Sequence, residues 1–213
     1  MTSANLLKST SLQEKNVFLL SHARTDRLSI EGYTNRLFIH SYLDTDFENC
    51  LALYCDEEIT KFFDNGKART EQETFDYIQE RGSRYFDEGL PYGLFSVFLK
   101  ENDTFIGQVD LVPTGNPGEV EIGWIFHKEF QGKGYCTEAV LDFLLPLISK
   151  LHKNKFESNG LPLNRVIATA HPDNIASNKV IQKAGLNIYQ FRLRYGGNPR
   201  NWYALNLTEP HQL

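Results

Sequence analysis

The sequence contains few cysteines, and none of them forms part of a disulfide or metal-binding motif. Its 213 residues include three cysteines, Cys50, Cys55 and Cys136. The number is odd, no pair has the CxxC spacing, and the histidines do not cluster with them. We therefore expect neither a disulfide framework nor a metal site. Reduced thiols are typical of a cytoplasmic protein.

A positive excess of charge is also missing. Lys and Arg number 22 against 27 Asp and Glu, which gives a formal net charge of −5. Because binding along a nucleic-acid backbone requires a basic face, we expect no nucleic-acid partner. One local basic pocket and a cationic substrate such as an amine are both compatible with this balance.

Long hydrophobic runs are absent from the N-terminal region. Its longest apolar stretch, residues 17–20, is far shorter than the roughly 20 residues of a membrane-spanning helix. No basic segment followed by an apolar run marks a signal peptide. The expectation is a cytoplasmic protein with no membrane partner.

The chain length suits one domain with an additional N-terminal segment. Hydrophobic residues make up 41% of the 213, which is enough to build a core. Residues 1–34 are polar and mixed, without a clear period, and are interpreted as an N-terminal arm or extra element. Residues 35–213 are interpreted as the main domain.

Hydrophobic periodicity predicts a mixed architecture. Alternating β-rich segments predict strands at residues 36–43, 92–99, 104–112, 120–127, 164–170, 186–195 and 201–207. Helical spacing predicts helices after the first, fourth and fifth of these strands. Thr70 and Glu73 form a capping box, and Asn174 is an N-cap. The order predicts an α/β (α+β) fold with a single mixed, mostly antiparallel central sheet flanked by helices.

A glycine-containing loop joins the fourth strand to the helix that follows it. It lies within residues 129–139, "EFQGKGYCTEA". Glycines at the start of a helix allow unpaired backbone N–H groups to approach an anion. The spacing fits neither GxxxxGK[ST] nor GxGxxG. A plain strand-to-helix turn is the alternative interpretation of the loop by itself.

Two segments resemble a known family. Gln131, Gly134 and Cys136 follow a spacing similar to the Q/R-x-x-G-x-G/A pyrophosphate loop of the GNAT superfamily of N-acetyltransferases. "HPDNIASNKVIQKAGL", residues 171–186, resembles the later segment of that family, and the order of elements agrees. The resemblance spans about residues 36–207 and is closest to the ribosomal-protein N-acetyltransferase-like branch.

This resemblance implies an enzyme that moves acetyl from acetyl-CoA, its co-substrate, to a primary amine by direct attack in a ternary complex. The acceptor would be a protein N-terminus or a small-molecule amine. The cofactor-binding residues that the resemblance implies are Ile125 and Phe126 along the pantetheine arm, Gln131, Gly132, Lys133, Gly134, Tyr135 and Cys136 around the pyrophosphate, and Asn174 with Asn178 nearby.

The catalytic candidates are Glu121 and Ser177. Glu121 lies on the strand that enters the loop, where the family often places a general base, although a solvated or ion-paired glutamate is the alternative. The usual acid, a Tyr, is replaced by Ile181, so Ser177 is the substitute and Tyr203 a more remote option. A hydrogen bond from Ser177 to the backbone at the start of its helix is equally compatible with the sequence.

Two further readings remain open. Cys136 departs from the family pattern; it is interpreted as a small packing residue, with a nucleophile as the weaker alternative. The missing Tyr favours a non-catalytic acyl-CoA-binding module or sensor as the alternative function. The sequence identifies neither the acceptor nor the oligomeric state, monomer or homodimer.

Overall fold

The computed structural model describes residues 17–21 and 27–207, with side chains in the range 27–207. The remaining parts of the predicted N-terminal segment, residues 1–16 and 22–26, lie outside the described residues.

Eleven strands are described. Strands β1 to β6 are Val17–Ser21, Leu28–Tyr33, Leu37–Ser41, Gly93–Leu99, Phe105–Pro113 and Glu119–Phe126. Strands β7 to β11 are Glu157–Ser158, Leu161–Pro162, Arg165–Ala170, Asn187–Arg194 and Asn198–Asn206.

Helices lie mainly between the strands of the main sheet. Helices α1 to α7 are Phe47–Tyr54, Glu57–Thr60, Glu71–Ile78, Arg84–Asp87, Tyr135–Ala139, Leu145–Lys153 and Ile175–Lys183. Single turns of 3-10 helix occur at Asp44–Asp46 and Lys128–Phe130, and π-helical turns at Gln79–Ser83 and Val140–Leu144.

Nine of the described strands form one sheet in the order β1-β2-β3-β4-β5-β6-β9-β11-β10. Neighbours are antiparallel except for β6 and β9, which are parallel. Strands β7 and β8 form a separate small hairpin. The predicted fold class, one mixed and mostly antiparallel sheet flanked by helices, is confirmed.

The sheet begins earlier in the chain than the periodicity analysis indicated. Strand β2 pairs with β3, so that Gly32 lies opposite Ile39. Leu28 and Ile30 are buried in the same core as the rest of the sheet. The division of the chain into residues 1–34 and 35–213 stays a prediction.

The helix after the glycine loop packs on the centre of the sheet. Helix α5, the π turn and α6 follow one another without a break, from residue 135 to 153. Its fully buried side is the predicted apolar face, formed by Val140, Phe143, Leu144, Leu147 and Leu151. The start of this helix is therefore held rigidly at the edge of the core.

Two predicted helix starts are confirmed. Thr70 and Glu73 form a reciprocal capping box at α3. The Asn174 side chain accepts a hydrogen bond from the Ser177 backbone N–H and caps α7. Within the described ranges, no helix has the length and apolar character that crossing a membrane requires.

Candidate functional site

The sheet opens at its centre, between β6 and β9. These two strands pair only over residues 119–121 and 165–167. Strand β6 continues to Phe126 and β9 to Ala170, each still paired with its other neighbour. Beyond residue 121, therefore, the edge of β6 that faces β9 has no strand partner within the described part of the chain, and its backbone is available to a ligand.

A cavity of about 780 Å³ occupies this opening. Its lining runs from the glycine loop, through the exposed edge of β6 and the start of α7, to charged side chains from the middle of the sheet. Volumes of this size accommodate a ligand as large as a cofactor. The cavity is therefore the candidate functional site.

At one end of the cavity, the loop takes the left-handed backbone conformation that favours glycine. The φ angles of Gly132 and Gly134 are +74° and +84°. Gly134 is the N-cap of α5, and the first N–H groups of the helix have no partner within it. This geometry suits the binding of an anionic group by backbone donors.

Arg36 from β3's N-terminal end supports the loop. Its guanidinium donates to the Lys133 carbonyl oxygen (3.1 Å) and lies 4.3 Å from the centre of the Tyr135 ring. It also pairs with Glu138 at 2.7 Å. Burial disfavours the charge of Glu138, but hydrogen bonds from Thr34 and Arg36 outweigh that cost and lower its pKa. The sequence analysis missed Arg36, which lies about 100 residues before the loop.

The structure brings most of the predicted cofactor residues to the cavity. Those that line it are Ile125, Phe126, Gln131, Gly132, Gly134, Tyr135, Cys136 and Asn174. The Gln131 amide donates to the Phe126 carbonyl oxygen at 2.9 Å and so ties the loop to the end of β6.

Lys133 and Asn178 do not belong to the lining. Lys133 is exposed, with its ammonium 5.5 Å from the centre of the Phe130 ring. The Asn178 amide donates to the His171 carbonyl oxygen, and its oxygen accepts from Tyr203 at 2.6 Å. Asn178 thus holds the turn after β9 against β11. The cofactor role of both residues stays a prediction.

Glu121 lines the cavity but is already paired. Its carboxylate accepts two hydrogen bonds from the Arg194 guanidinium, at 2.6 and 2.9 Å. The Thr169 hydroxyl donates to it at 3.3 Å. A bidentate arginine occupies both oxygens of the carboxylate and fixes its orientation. Glu121 is thus ion-paired in the structure, as in the alternative interpretation. The general-base role of Glu121 stays a prediction.

Ser177 also lines the cavity. Its hydroxyl oxygen accepts a hydrogen bond from the Trp124 indole N–H at 3.2 Å, and its hydroxyl proton is left for another acceptor. Ile181, at the position of the usual acid, is fully buried in the core. Ser177 as the general acid stays a prediction.

Cys136 lies half-buried in the lining. Burial raises the pKa of its thiol. A thiol held in the protonated form is a poor nucleophile, which favours the packing role expected for this residue.

Asp110 is a cavity residue that was not singled out from the sequence. It lies on β5 directly opposite Gly123 of β6, and its side chain is only 8% exposed. The available signal was two polar residues, Gln108 and Asp110, alternating in an otherwise apolar strand. Gln108 bonds with Tyr54 and Cys50, whereas Asp110 borders the cavity.

The described residues bring together no group of three or more His, Cys, Asp or Glu side chains that could hold a metal ion. The polar groups that line the cavity include backbone donors of the glycine loop at one end and, at the other, the carboxylates of Asp110 and Glu121 with the Arg81 guanidinium.

Comparisons with known proteins agree with this architecture. YnaD of Bacillus subtilis (strain 168), an uncharacterized N-acetyltransferase, is 27% identical over 153 residues, which are 72% of this chain and 80% of YnaD. The acetyltransferase (GNAT family) structure from Bacillus anthracis superposes with a TM-score of 0.66 at 22% identity, covering 83% of this chain and 98% of that one.

A third relative is RimL, a ribosomal L7/L12 alpha-N-protein acetyltransferase solved in complex with coenzyme A. It superposes with a TM-score of 0.62 at 15% identity over 82% of this chain and 96% of RimL. At these identities the two structures show a common fold. Residues 36–187, more than half of the chain, match the acetyltransferase (GNAT) domain family. The chain therefore belongs to the GNAT family of acetyltransferases.

Proposed function

We propose that this protein transfers acetyl from acetyl-CoA to a primary amine, by direct attack within a ternary complex. The observation that carries the proposal is the cavity between β6 and β9, which joins a left-handed glycine loop to a free strand edge. These are the two backbone features that a pyrophosphate and an extended amide-containing arm need.

The residues present fit coenzyme A. Backbone donors around residues 132–136 would hold the pyrophosphate, and the free edge of β6 at Ile125 and Phe126 would pair with the pantetheine arm. Asn174 lies at the opposite wall of the cavity. Acetyl-CoA supplies an activated acetyl group as a thioester. The protein must bind it, orient it and handle the protons.

The acceptor is proposed to be a protein N-terminal amine or a small-molecule amine. RimL, a structural relative, is described as an α-N-protein acetyltransferase of ribosomal L7/L12. A cationic acceptor amine would meet a mixed charge at the far end of the cavity, where Asp110 and Glu121 lie with Arg81 and Arg200 in the lining. Proton transfer from that amine is required before or during attack.

A non-catalytic acyl-CoA-binding module is the second candidate function. It is favoured by the buried aliphatic side chain of Ile181 where the family usually has a tyrosine. Both candidate functions require binding of acetyl-CoA, and only the transferase transfers the acetyl group to an amine.

The first test is thermal unfolding with acetyl-CoA, with ATP and NADH as controls. Acetyl-CoA at 100 times its dissociation constant should stabilise the fold by ~2.7 kcal/mol. No shift with acetyl-CoA would contradict both candidate functions.

The second test is release of CoA thiol in the presence of single amines: a peptide with a free N-terminus, spermidine, glucosamine and glycine. Acetylation of any of these supports the transferase. Binding without release of thiol above the background hydrolysis with every amine would favour the binding module.

A further inference from the structure

One buried carboxyl group of the cavity has an acceptor atom without a partner. The Asp110 Oδ1 atom is inaccessible and has no hydrogen-bond partner within the described residues. Leaving a buried acceptor unsatisfied costs about 1–3 kcal/mol. Asp110 borders the cavity, and a buried polar group without a partner beside a ligand cavity is a candidate for a functional role.

The carboxyl is held in place by its neighbour on β6. A Cβ atom at Gly123 would lie 2.4 Å from Asp110 Oδ1 and 3.0 Å from its Cγ. The Gly123 backbone N–H faces the carboxyl and opposes the rise of its pKa. Gly123 lies just past Glu121, in the part of β6 whose other edge faces the opening. Asp110 is therefore fixed beside the place where a ligand along β6 would end.

Charged and titratable groups from five elements face Asp110. They are Tyr54 on α1, Tyr77 on α3, Arg81 on the π turn after α3, Glu121 on β6 and Arg194 on β10. Burial raises the pKa of Asp110 to about 7; Arg81, the Gly123 N–H and Arg194 oppose this shift, while Glu121 adds to it. A base with a pKa near neutral is the most effective at neutral pH.

The two carboxylates of the cavity thus differ in what they can do. Glu121 is tied to Arg194 by two hydrogen bonds. Among the described residues, Asp110 forms no ion pair within 4 Å, and its Oδ1 atom accepts no hydrogen bond. Asp110 is therefore the cavity carboxyl whose pKa is raised, and the negative charge of Glu121 adds to that rise.

We infer that Asp110 is the general base that accepts the proton of the acceptor amine, with Glu121 and Gly123 as its positioning residues. This inference rests on the proposed function. The amine nitrogen forms a bond to the acetyl carbonyl carbon as the carbon–sulfur bond breaks. The amine attacks in its neutral form, and the one proton that its nitrogen then loses passes to the Asp110 carboxylate. The departing thiolate takes up one proton from solvent. The products are the N-acetyl amine and CoA thiol.

The test is the pH dependence of kcat/KM for the protein and its Asp110→Asn variant, measured with the best amine of the panel. The protein should lose activity below an apparent pKa of about 7. The acidic limb of the pH profile should lie at the same pH for two acceptors whose amine pKa values differ, because the group that titrates belongs to the enzyme. Asp110→Asn should lower kcat/KM by about 10²–10⁴-fold and remove the limb.

Glu121→Gln separates the two carboxylates. If Asp110 is the base, the acidic limb persists in Glu121→Gln and moves to lower pH, because a negative neighbour is lost and Arg194 is freed. If Glu121 is the base, the limb disappears in Glu121→Gln and persists in Asp110→Asn. The second pattern would overturn the inference.

Asp46→Asn is the matched control. Asp46 is also a buried aspartate, hydrogen-bonded by Ser96 and the Leu43 backbone N–H outside the cavity. Asp46→Asn should leave the apparent pKa of the acidic limb unchanged. Acetyl-CoA binding by Asp110→Asn, measured by calorimetry, shows whether that variant is folded.

Carbon-13 NMR of the Asp110 carboxyl gives a reading that does not depend on an acceptor. In the acetyl-CoA-saturated protein, titration near pH 7 supports the inference, and titration near the ordinary ~3.9 overturns it. Failure of turnover with every amine would reject the proposed function. Normal turnover by Asp110→Asn with an unchanged limb would reject only the role of Asp110.

Discussion

The two ends of the cavity are built in different ways. The end that we propose binds acetyl-CoA, here called the cofactor end, is one continuous loop in which Gly132 and Gly134 present backbone donors at a helix start. The opposite end is lined by Arg81, Asp110 and Glu121, which come from three separate elements, and Arg194 from a fourth element pairs with Glu121. The first end depends mainly on main-chain conformation and the second on side chains held together by tertiary packing.

This difference determines how each end responds to substitution. Backbone donors survive most side-chain changes but not a change of backbone conformation. Buried charges respond to any change in their neighbours, because the low dielectric around them strengthens each interaction. We expect the cofactor end to tolerate charge removal and the opposite end to be sensitive to it.

The largest expected effect is on stability at the side-chain end. The pKa of Asp110 is raised by burial to about 7 from 3.8. The contribution of Asp110 to stability is therefore fully present below about pH 4 and is lost as the pH rises through about 7. Relative to Asp110→Asn, the free energy of unfolding of the protein should fall by up to about 4 kcal/mol between these pH values.

Urea unfolding of both proteins from pH 4 to pH 8 measures this difference. Groups other than Asp110 contribute similarly to both curves. A stability difference that does not vary with pH would mean that Asp110 titrates normally.

Gly123→Ala should disturb the same end by displacing the carboxyl. The new Cβ would lie 2.4 Å from Asp110 Oδ1. A displacement of about 1 Å of a catalytic group costs about 10²-fold in rate, and overpacking costs roughly 1–3 kcal/mol of stability. Steady-state kinetics should show a fall in kcat with little change in acetyl-CoA affinity.

Gly115→Ala is the control, because Gly115 is exposed and a Cβ there would meet nothing within 4 Å. An equal fall in kcat in Gly123→Ala and Gly115→Ala would show that the close contact with Asp110 has no catalytic consequence.

Gly134→Ala should weaken the cofactor end alone. The φ angle of +84° is strained for alanine by about 1–2 kcal/mol. If the loop relaxes, its donors move, and acetyl-CoA should bind about 10-fold more weakly with kcat nearly unchanged. Isothermal titration calorimetry measures the affinity.

Gly185→Ala carries a similar strain, since φ is +81° and a Cβ would meet nothing within 4 Å. It lies just after α7 and outside the cavity lining. This variant should lose stability and keep its affinity for acetyl-CoA; a loss of affinity would point to a general loosening instead.

The smallest effect is expected from Lys133→Ala. Lys133 is exposed, so its charge is screened by salt. Acetyl-CoA affinity should fall by about two- to threefold at low salt and by less at high salt. Lys153→Ala, an exposed lysine at the end of α6, is the control. A tenfold loss of acetyl-CoA affinity in Lys133→Ala would show that side-chain charge, and not the main-chain donors, provides most of the affinity at the cofactor end.

Much of the fold could be predicted because its signals are local. The capping box at Thr70 and the N-cap Asn174 each act within four residues, and both are confirmed. Strands β1 and β2 were missed, since residues 17–33 show no clear alternation in sequence. Strand β2 is held by its pairing with β3 and by the burial of Leu28 and Ile30.

The sequence by itself determined the strand–loop–helix unit around residues 119–139, because glycine conformation, helix starts and alternation are set by neighbouring residues. Only the tertiary structure decided which carboxylate is free. Arg194, 73 residues from Glu121, pairs with that glutamate. Asp110 is buried, and its Oδ1 atom has no hydrogen-bond partner among the described residues. The reason is physical: the proton affinity of a carboxyl depends on burial and on charges brought close by folding, and sequence separation does not encode either.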